Sequence, residues 1–243
     1  CDRRQRQMCI RDRAGIIKPE IPVVTIEQEP KVKEILTEEA RQKKSRIYDI
    51  SEDNLNFKEK AGKYIDFLNA NAYDKERDVR TNIAGEFQKS NLAAALQTAE
   101  LICGRLDEDK IYEALSQIRI SGRMEEIAPG IIVDVSHNIQ GMQGFVQTVE
   151  ANYHGMKKRI LFAASHQNEE EYMKNILKTI PEIEAFYTVG IHKRRINEAE
   201  FQDAFRKMID RNQETTVCFV VGSFYLAGMA KEFINQEEEN VRL

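Results

Sequence analysis

The sequence predicts an α/β protein whose main domain is a mostly parallel sheet covered by helices on both faces. Three observations carry this. From Arg123 onward, four short apolar runs, Ile131–Val133, Ile160–Ala164, Ala185–Val189 and Val217–Val221, are each followed by a segment of helical period: Gln140–Asn152, Glu169–Ile180, Glu198–Asp210 and Tyr225–Asn235. Strand–helix alternation at that spacing gives βαβ units. The runs are apolar throughout rather than alternating, as befits strands buried on both faces. Polar residues then gather just past the runs, at the carboxyl ends of strands, where open parallel sheets hold their ligands.

The part before Arg123 is less regular. Ile21–Thr25 is a β-branched run behind Pro19 and reads as a strand. Pro30 opens a helical stretch, Lys31–Lys44, with Val32, Ile35, Leu36 and Ala40 on one face. Residues 45–86 are mixed and polar, with Ile65–Leu68 and Val79–Ile83 as short strands. Gln88–Cys103 is an amphipathic helix whose stripe is Leu92, Ala95, Leu96 and Ala99, and Asp109–Gln117 is a second, shorter one. Glu237–Glu239 reads as a solvated charged tail.

The chain of 243 residues is 42% hydrophobic and 31% charged, enough for a real core. No apolar run reaches the roughly 18 residues of a membrane span, so no membrane partner is expected. The formal charge is −4, which leaves no basic surplus for nucleic acid. The one basic run, His192-Lys193-Arg194-Arg195, reads as a solvated loop. Residues 1–13, CDRRQRQMCIRDR, lack periodicity and signal-peptide features. Met8–Arg13 resembles one reading frame of a sequencing-library transposase adapter, so the segment is set apart as a non-native adapter, with a disordered basic tail as the alternative. It holds five Arg and two Asp, and without it the charge falls to −7. Two cysteines remain, Cys103 and Cys218, both in apolar stretches and read as buried thiols suited to a reducing cytoplasm.

Three polar clusters are candidates for chemistry. Ile131–Val133 runs straight into Asp134, Ser136, His137 and Asn138 and then a helix. This is either a nucleotide or anion site at a strand end and helix start, or a turn with Ser136 or Asn138 as a cap. Ser121-Gly122-Arg123-Met124-Glu125 opens the regular domain, and Arg123 is either a base or phosphate ligand or a surface residue beside a linker. Gly222-Ser223-Phe224-Tyr225 is either an anion site or a tight turn. No Walker A motif, nucleophile elbow or His-Glu-x-x-His occurs, and the histidines give no zinc spacing.

Five segments in order resemble the C-terminal part of the folylpolyglutamate synthase / dihydrofolate synthase family of Mur ligases. They are Ala14-Gly15-Ile16-Ile17-Lys18-Pro19 with Ile21–Val24; Phe87–Asn91 with Ala93–Ala95; Gly122–Glu125; Asp134–Asn138; and Gly222–Leu226. The resemblance implies that residues 14–120 end a central ATPase domain and residues 121–243 form a Rossmann-like domain. It implies an ATP- and Mg²⁺-dependent ligase that joins L-glutamate to folate or dihydropteroate through an acyl phosphate, cytoplasmic and monomeric. The ATP contacts fall on Asn91, Arg123 and Asp134, with Asp134 toward the ribose. His137 falls near the nucleotide and the transferred group, as the catalytic residue. The P-loop, magnesium ligands and functional lysine of the family lie upstream of Ala14, so no metal ligand is expected here and the fragment is expected to be inactive alone. Departures are Asp12-Arg13 in place of Glu-Lys, Ser136 for alanine, Ile139 for proline, a stretch before Asp134 about two residues short, and Ser165-His166-Gln167-Asn168 where relatives carry Lys and Asp. The alternatives are a non-catalytic nucleotide-binding module and another Mur-type amide ligase. Strand-end residues contribute little to a core, so Asp134→Ala is expected to weaken ATP use and leave the fold intact.

Overall fold

The structure, a computed structural model, describes residues 12, 14–26, 28–51, 56–57, 64–69, 77–85, 88–104, 107–165, 167–192, 195–209 and 215–242. The adapter-like segment apart from Asp12, together with Phe87, His166, Lys193 and Arg194, lies outside them. The chain divides into two compact units. One comprises residues 1–60, 65–81 and 87–117, and the other residues 61–64, 82–86 and 118–243.

In the first unit, β1 (Val23–Ile26) and β2 (Ile47–Ile50) pair in parallel, Val23 opposite Ile47, and α1 (Pro30–Gln42) connects them. Pro30 suits the first helical turn because its missing N–H would have no partner there. The expected face of α1 is the covered one, with Ala40 fully buried. The Ala14–Pro19 segment docks on the end of this helix. Ala14 and Ile17 are buried, Lys43 Nζ donates to the Ile17 carbonyl at 2.8 Å, and Ser45 Oγ donates to the Lys18 carbonyl at 2.7 Å. A three-stranded sheet follows, β3 (Asn56–Phe57), β4 (Tyr64–Asn69) and β5 (Arg77–Ala84) in that order. Then come α2 (Gln88–Cys103) and α3 (Glu108–Gln117). The α2 stripe is rotated from the expected one. Gln88, Leu92 and Ala93 are buried and Ala95 faces out. Cys103 is exposed rather than buried, since the last turn of α2 also leaves Ile102 bare.

The second unit is the expected α/β layer. Its sheet has the order β6 (Glu125–Ala128), β7 (Ile131–Asp134), β12 (Thr216–Val221), β8 (Lys157–Phe162), β9 (Ile183–Thr188). All neighbours are parallel except the edge pair β6–β7. Helices α4 (Ile139–Asn152) and α5 (Glu170–Leu177) pack on one face, placing Phe145, Val149, Met173 and Leu177 against Ile132, Ile160 and Phe219. On the other face, α6 (Glu198–Ile209) and α7 (Phe224–Arg242) place Phe205, Met208, Ala230 and Phe233 against Val133, Leu161 and Val220. The short hairpin β10 (Ile191–His192) and β11 (Arg195–Ile196) carries the first and last residues of the basic run, His192 and Arg195.

Strand β8 starts earlier than its apolar run suggested. Lys158 is fully buried, its stem in the protein and its Nζ 2.8 Å from Glu182 Oε2. Lys157 and Arg159 reach Glu184 on β9 at 3.3 and 2.8 Å. The cations that masked the strand in the sequence are therefore satisfied across it. Glu237–Glu239 belongs to α7 rather than to a tail, consistent with glutamate's good helix propensity.

Candidate functional site

Strand order sets the site. Chain β7 leaves by α4 on one face, and its neighbour β12 leaves by α7 on the other. The two connections diverge, which opens a crevice at their carboxyl ends, the switch point at which such sheets bind ligands. Val221 pairs with Asp134 at its floor. The residues after β7, Val135 to Asn138, and those after β12, Gly222 to Tyr225, form its two sides. The His137 and Phe224 rings meet there, with centroids 5.4 Å apart.

Each polar residue has a definite local role. Asn138 is the N-cap of α4, its Oδ1 accepting the Gly141 N–H at 2.7 Å. Ser223 is buried and its Oγ accepts the Tyr225 N–H at 3.1 Å. Gly222 has φ 108°, and a Cβ there would lie 2.5 Å from the Ala163 carbonyl oxygen. The Gly-Ser segment is thus a tight turn that needs glycine. His137 is half-buried, with Nδ1 3.0 Å from the Val135 carbonyl. A proton on Nδ1 makes that contact a hydrogen bond and leaves Nε2 in its acceptor form.

Asp134 is fully buried. Its Oδ1 accepts the Ser136 N–H at 2.8 Å and its Oδ2 accepts the Met124 N–H at 3.0 Å. Burial pushes its carboxyl above the ordinary aspartate range. The Ser136 side chain and N–H, the Met124 N–H and the Arg123 charge oppose this without cancelling it. The expectation that Asp134→Ala leaves the fold intact is therefore corrected. This strand-end carboxylate ties two segments together from inside the protein.

Arg123 sits in a turn that Asp134 helps to hold. Gly122 and Met124 on either side both have positive φ, 69° and 47°. The Val135 N–H donates to the Gly122 carbonyl at 2.8 Å. Arg123 is half-buried, and among the described residues its guanidinium has no hydrogen-bond or ion-pair partner. Arg123, Asp134 and His137 thus belong to one crevice of the second unit. Asn91 belongs to the first unit, exposed on α2, its Nδ2 donating to Gln88 Oε1 at 2.8 Å.

Sequence reading missed the partners of Glu125. Its Oε2 accepts the Gly122 N–H at 2.6 Å and Lys231 Nζ at 2.8 Å, and Lys231 also donates to Ser121 Oγ at 2.7 Å. Glu125 was visible as part of the Gly-Arg-Met-Glu segment, whereas nothing local marked Lys231, more than a hundred residues away. Among the described residues no three His, Cys, Asp or Glu side chains gather as they would around a metal ion, and no helix is long and apolar enough to cross a membrane.

An α/β layer with a crevice at its switch point defines a broad class, and comparison with known proteins narrows it. No protein-family model matches the chain. In sequence it is similar to the dihydrofolate synthase/folylpolyglutamate synthase of Bacillus subtilis, 24% identical in an alignment of 179 residues that covers 70% of this chain and 41% of that protein. Its fold matches an FPGS–AMPPCP–folate complex with TM-score 0.76 at 21% identity, covering 93% of this chain and 56% of that one. It also matches the folylpolyglutamate synthase of Thermotoga maritima with TM-score 0.72 at 22% identity, covering 96% and 59%. The chain has the fold of the C-terminal part of these synthases, and it spans about half the length of the relatives it matches.

Proposed function

We propose that this chain is the C-terminal part of an ATP-dependent ligase that adds L-glutamate to folate or dihydropteroate. The observation that carries the reading is the β7–β12 crevice with Arg123, Asp134 and His137 about it, in a fold shared with a synthase bound to AMPPCP and folate. In the reaction, ATP phosphorylates a carboxylate, which turns its oxygen into part of a leaving group. The glutamate amine attacks the acyl phosphate, an amide bond forms and phosphate departs. The work is positioning and charge stabilisation.

Arg123, whose guanidinium makes no hydrogen bond among the described residues, supplies a cation for the phosphates or a plane for the base. His137 offers an imidazole beside the transferred group. Asp134 supports the Arg123 turn from below, and a ribose contact to it requires a lone pair not used by Met124 or Ser136. Magnesium accompanies ATP and would draw its protein ligands from the family's N-terminal half. The ligase acts as a cytoplasmic monomer.

Calorimetric titration of the chain with MgATP tests this. Binding is expected, weakened at least tenfold by Arg123→Ala. Absence of binding, or equal affinity in the folded variant, would overturn the nucleotide reading.

A further inference from the structure

We propose that Lys231 is a positioning residue, which acts through Glu125 to lock the left-handed Gly122–Met124 turn that presents Arg123 to the crevice. The inference rests on the nucleotide-site reading above for its function, and on geometry alone for the lock.

The turn needs holding. Met124 takes φ 47°, a conformation that side chains with a Cβ disfavour and that persists only where the surroundings impose it. Gly122 has no room for a side chain, since its Cβ would lie 2.7 Å from Val135 Cγ1. Arg123 has no side-chain bond of its own among the described residues, so its direction is that of the backbone beneath it. Two restraints come from the sheet side. The Met124 N–H bonds to Asp134, and the Gly122 carbonyl accepts the Val135 N–H. The opposite side is held by one carboxylate oxygen. Glu125 Oε2 accepts the Gly122 N–H, the Ser121 hydroxyl at 3.2 Å and Lys231 Nζ.

Lys231 donates to both Glu125 and Ser121, so it bridges the two ends of the turn. It also stands on α7, two turns after the Gly222-Ser223 turn that forms the other wall of the crevice. One helix therefore fixes both walls. Charge-assisted bonds of this kind are short and directional. A half-exposed pair adds little to global stability, so the consequence of its loss is local.

Amide-resolved hydrogen exchange on the 243-residue chain tests the lock. Lys231→Met is expected to speed exchange at the Gly122 and Met124 amides about tenfold while β12 amides keep their protection. Lys231→Arg should restore exchange to within about twofold. Unchanged protection in Lys231→Met overturns the proposal. Should that variant loosen β12 as well, Glu125→Gln replaces it, with the same expectation and the same refutation. MgATP titration of the same variants separates the two readings. Affinity should fall about tenfold in Lys231→Met and recover in Lys231→Arg. A loss with Arg123→Ala but none with Lys231→Met overturns the positioning role and leaves the nucleotide site standing. No loss with either, while the amides loosen, overturns the nucleotide site and leaves the lock.

Discussion

Replacing Asp134 by alanine removes the one carboxylate that two buried backbone donors share. The Ser136 and Met124 N–H groups, 2.8 and 3.0 Å from its oxygens, are left without acceptors. An unsatisfied buried donor costs about 1–3 kcal/mol, so the pair costs about 2–6 kcal/mol. Part is returned, because a carboxylate held above its ordinary pKa by burial was itself costly to bury. The expected net loss is about 2–4 kcal/mol. Asp134→Asn keeps one acceptor oxygen and turns an amide N–H₂ toward the other donor, so it should fall between wild type and alanine. The chain has no Trp, so urea unfolding is followed by far-UV circular dichroism at pH 7. An Asp134→Ala protein within about 0.5 kcal/mol of wild type would refute the reasoning and return Asp134 to the status of a free ligand. The pH sign is a second check. A carboxyl raised in the folded state loses stability as pH climbs from about 3.9, the unfolded value, through its folded pKa. The asparagine variant should lack that decline.

Gly222→Ala forces a side chain onto φ 108° and into the Ala163 carbonyl and the Phe162 ring, and should cost about 2–5 kcal/mol, read as a lower urea midpoint. Burial raises the Glu125 carboxyl, but the bonds from Lys231, the Gly122 N–H and Ser121 outweigh it and hold its pKa below the ordinary glutamate range. Its contribution is complete above about pH 4.3 and is lost as pH falls through the lowered value. The difference in Tm between wild type and Glu125→Gln should therefore be constant from pH 7 to 5 and shrink toward pH 3. Lys158→Met keeps the buried stem and should cost under about 1 kcal/mol. Glu182→Gln leaves a buried ammonium facing a neutral group and should lower the urea midpoint more than Lys158→Met does, by the same denaturation assay.

The parallel layer was legible because strands buried on both faces write themselves as continuous apolar runs, and β7 and β12 are the purest cases. Strand β6 was not, since Glu-Glu-Ile-Ala carries no alternation and is a strand only because β7 lies beside it. Strand β2, Ile-Tyr-Asp-Ile, is too short to stand out from its polar surroundings. At the site, the sequence marked Arg123, Asp134 and His137 by their places after turns and strands. It did not show that Asp134 points inward. The same letters suit an exposed ligand and a buried clasp, and only the Met124 N–H, ten residues earlier, decides between them. Cys103 shows the converse error, an apolar neighbourhood in sequence that is an exposed helix end in space.

The place of β12 has a consequence for how the layer comes into being. It is the innermost strand of its sheet and the last to be synthesised. It alone joins β7 to β8, which do not touch each other. Until residues 216–221 leave the ribosome, the β6–β7 ribbon and the β8–β9 pair have no common partner, and two bare strand edges, those of β7 and β8, wait for one sequence. Closing so distant a pairing is slow on entropic grounds, and exposed edges in the interval invite wrong neighbours. Chains stopped before Thr216 should then collect as aggregates, whereas chains released a few residues beyond Val221 can already complete the sheet.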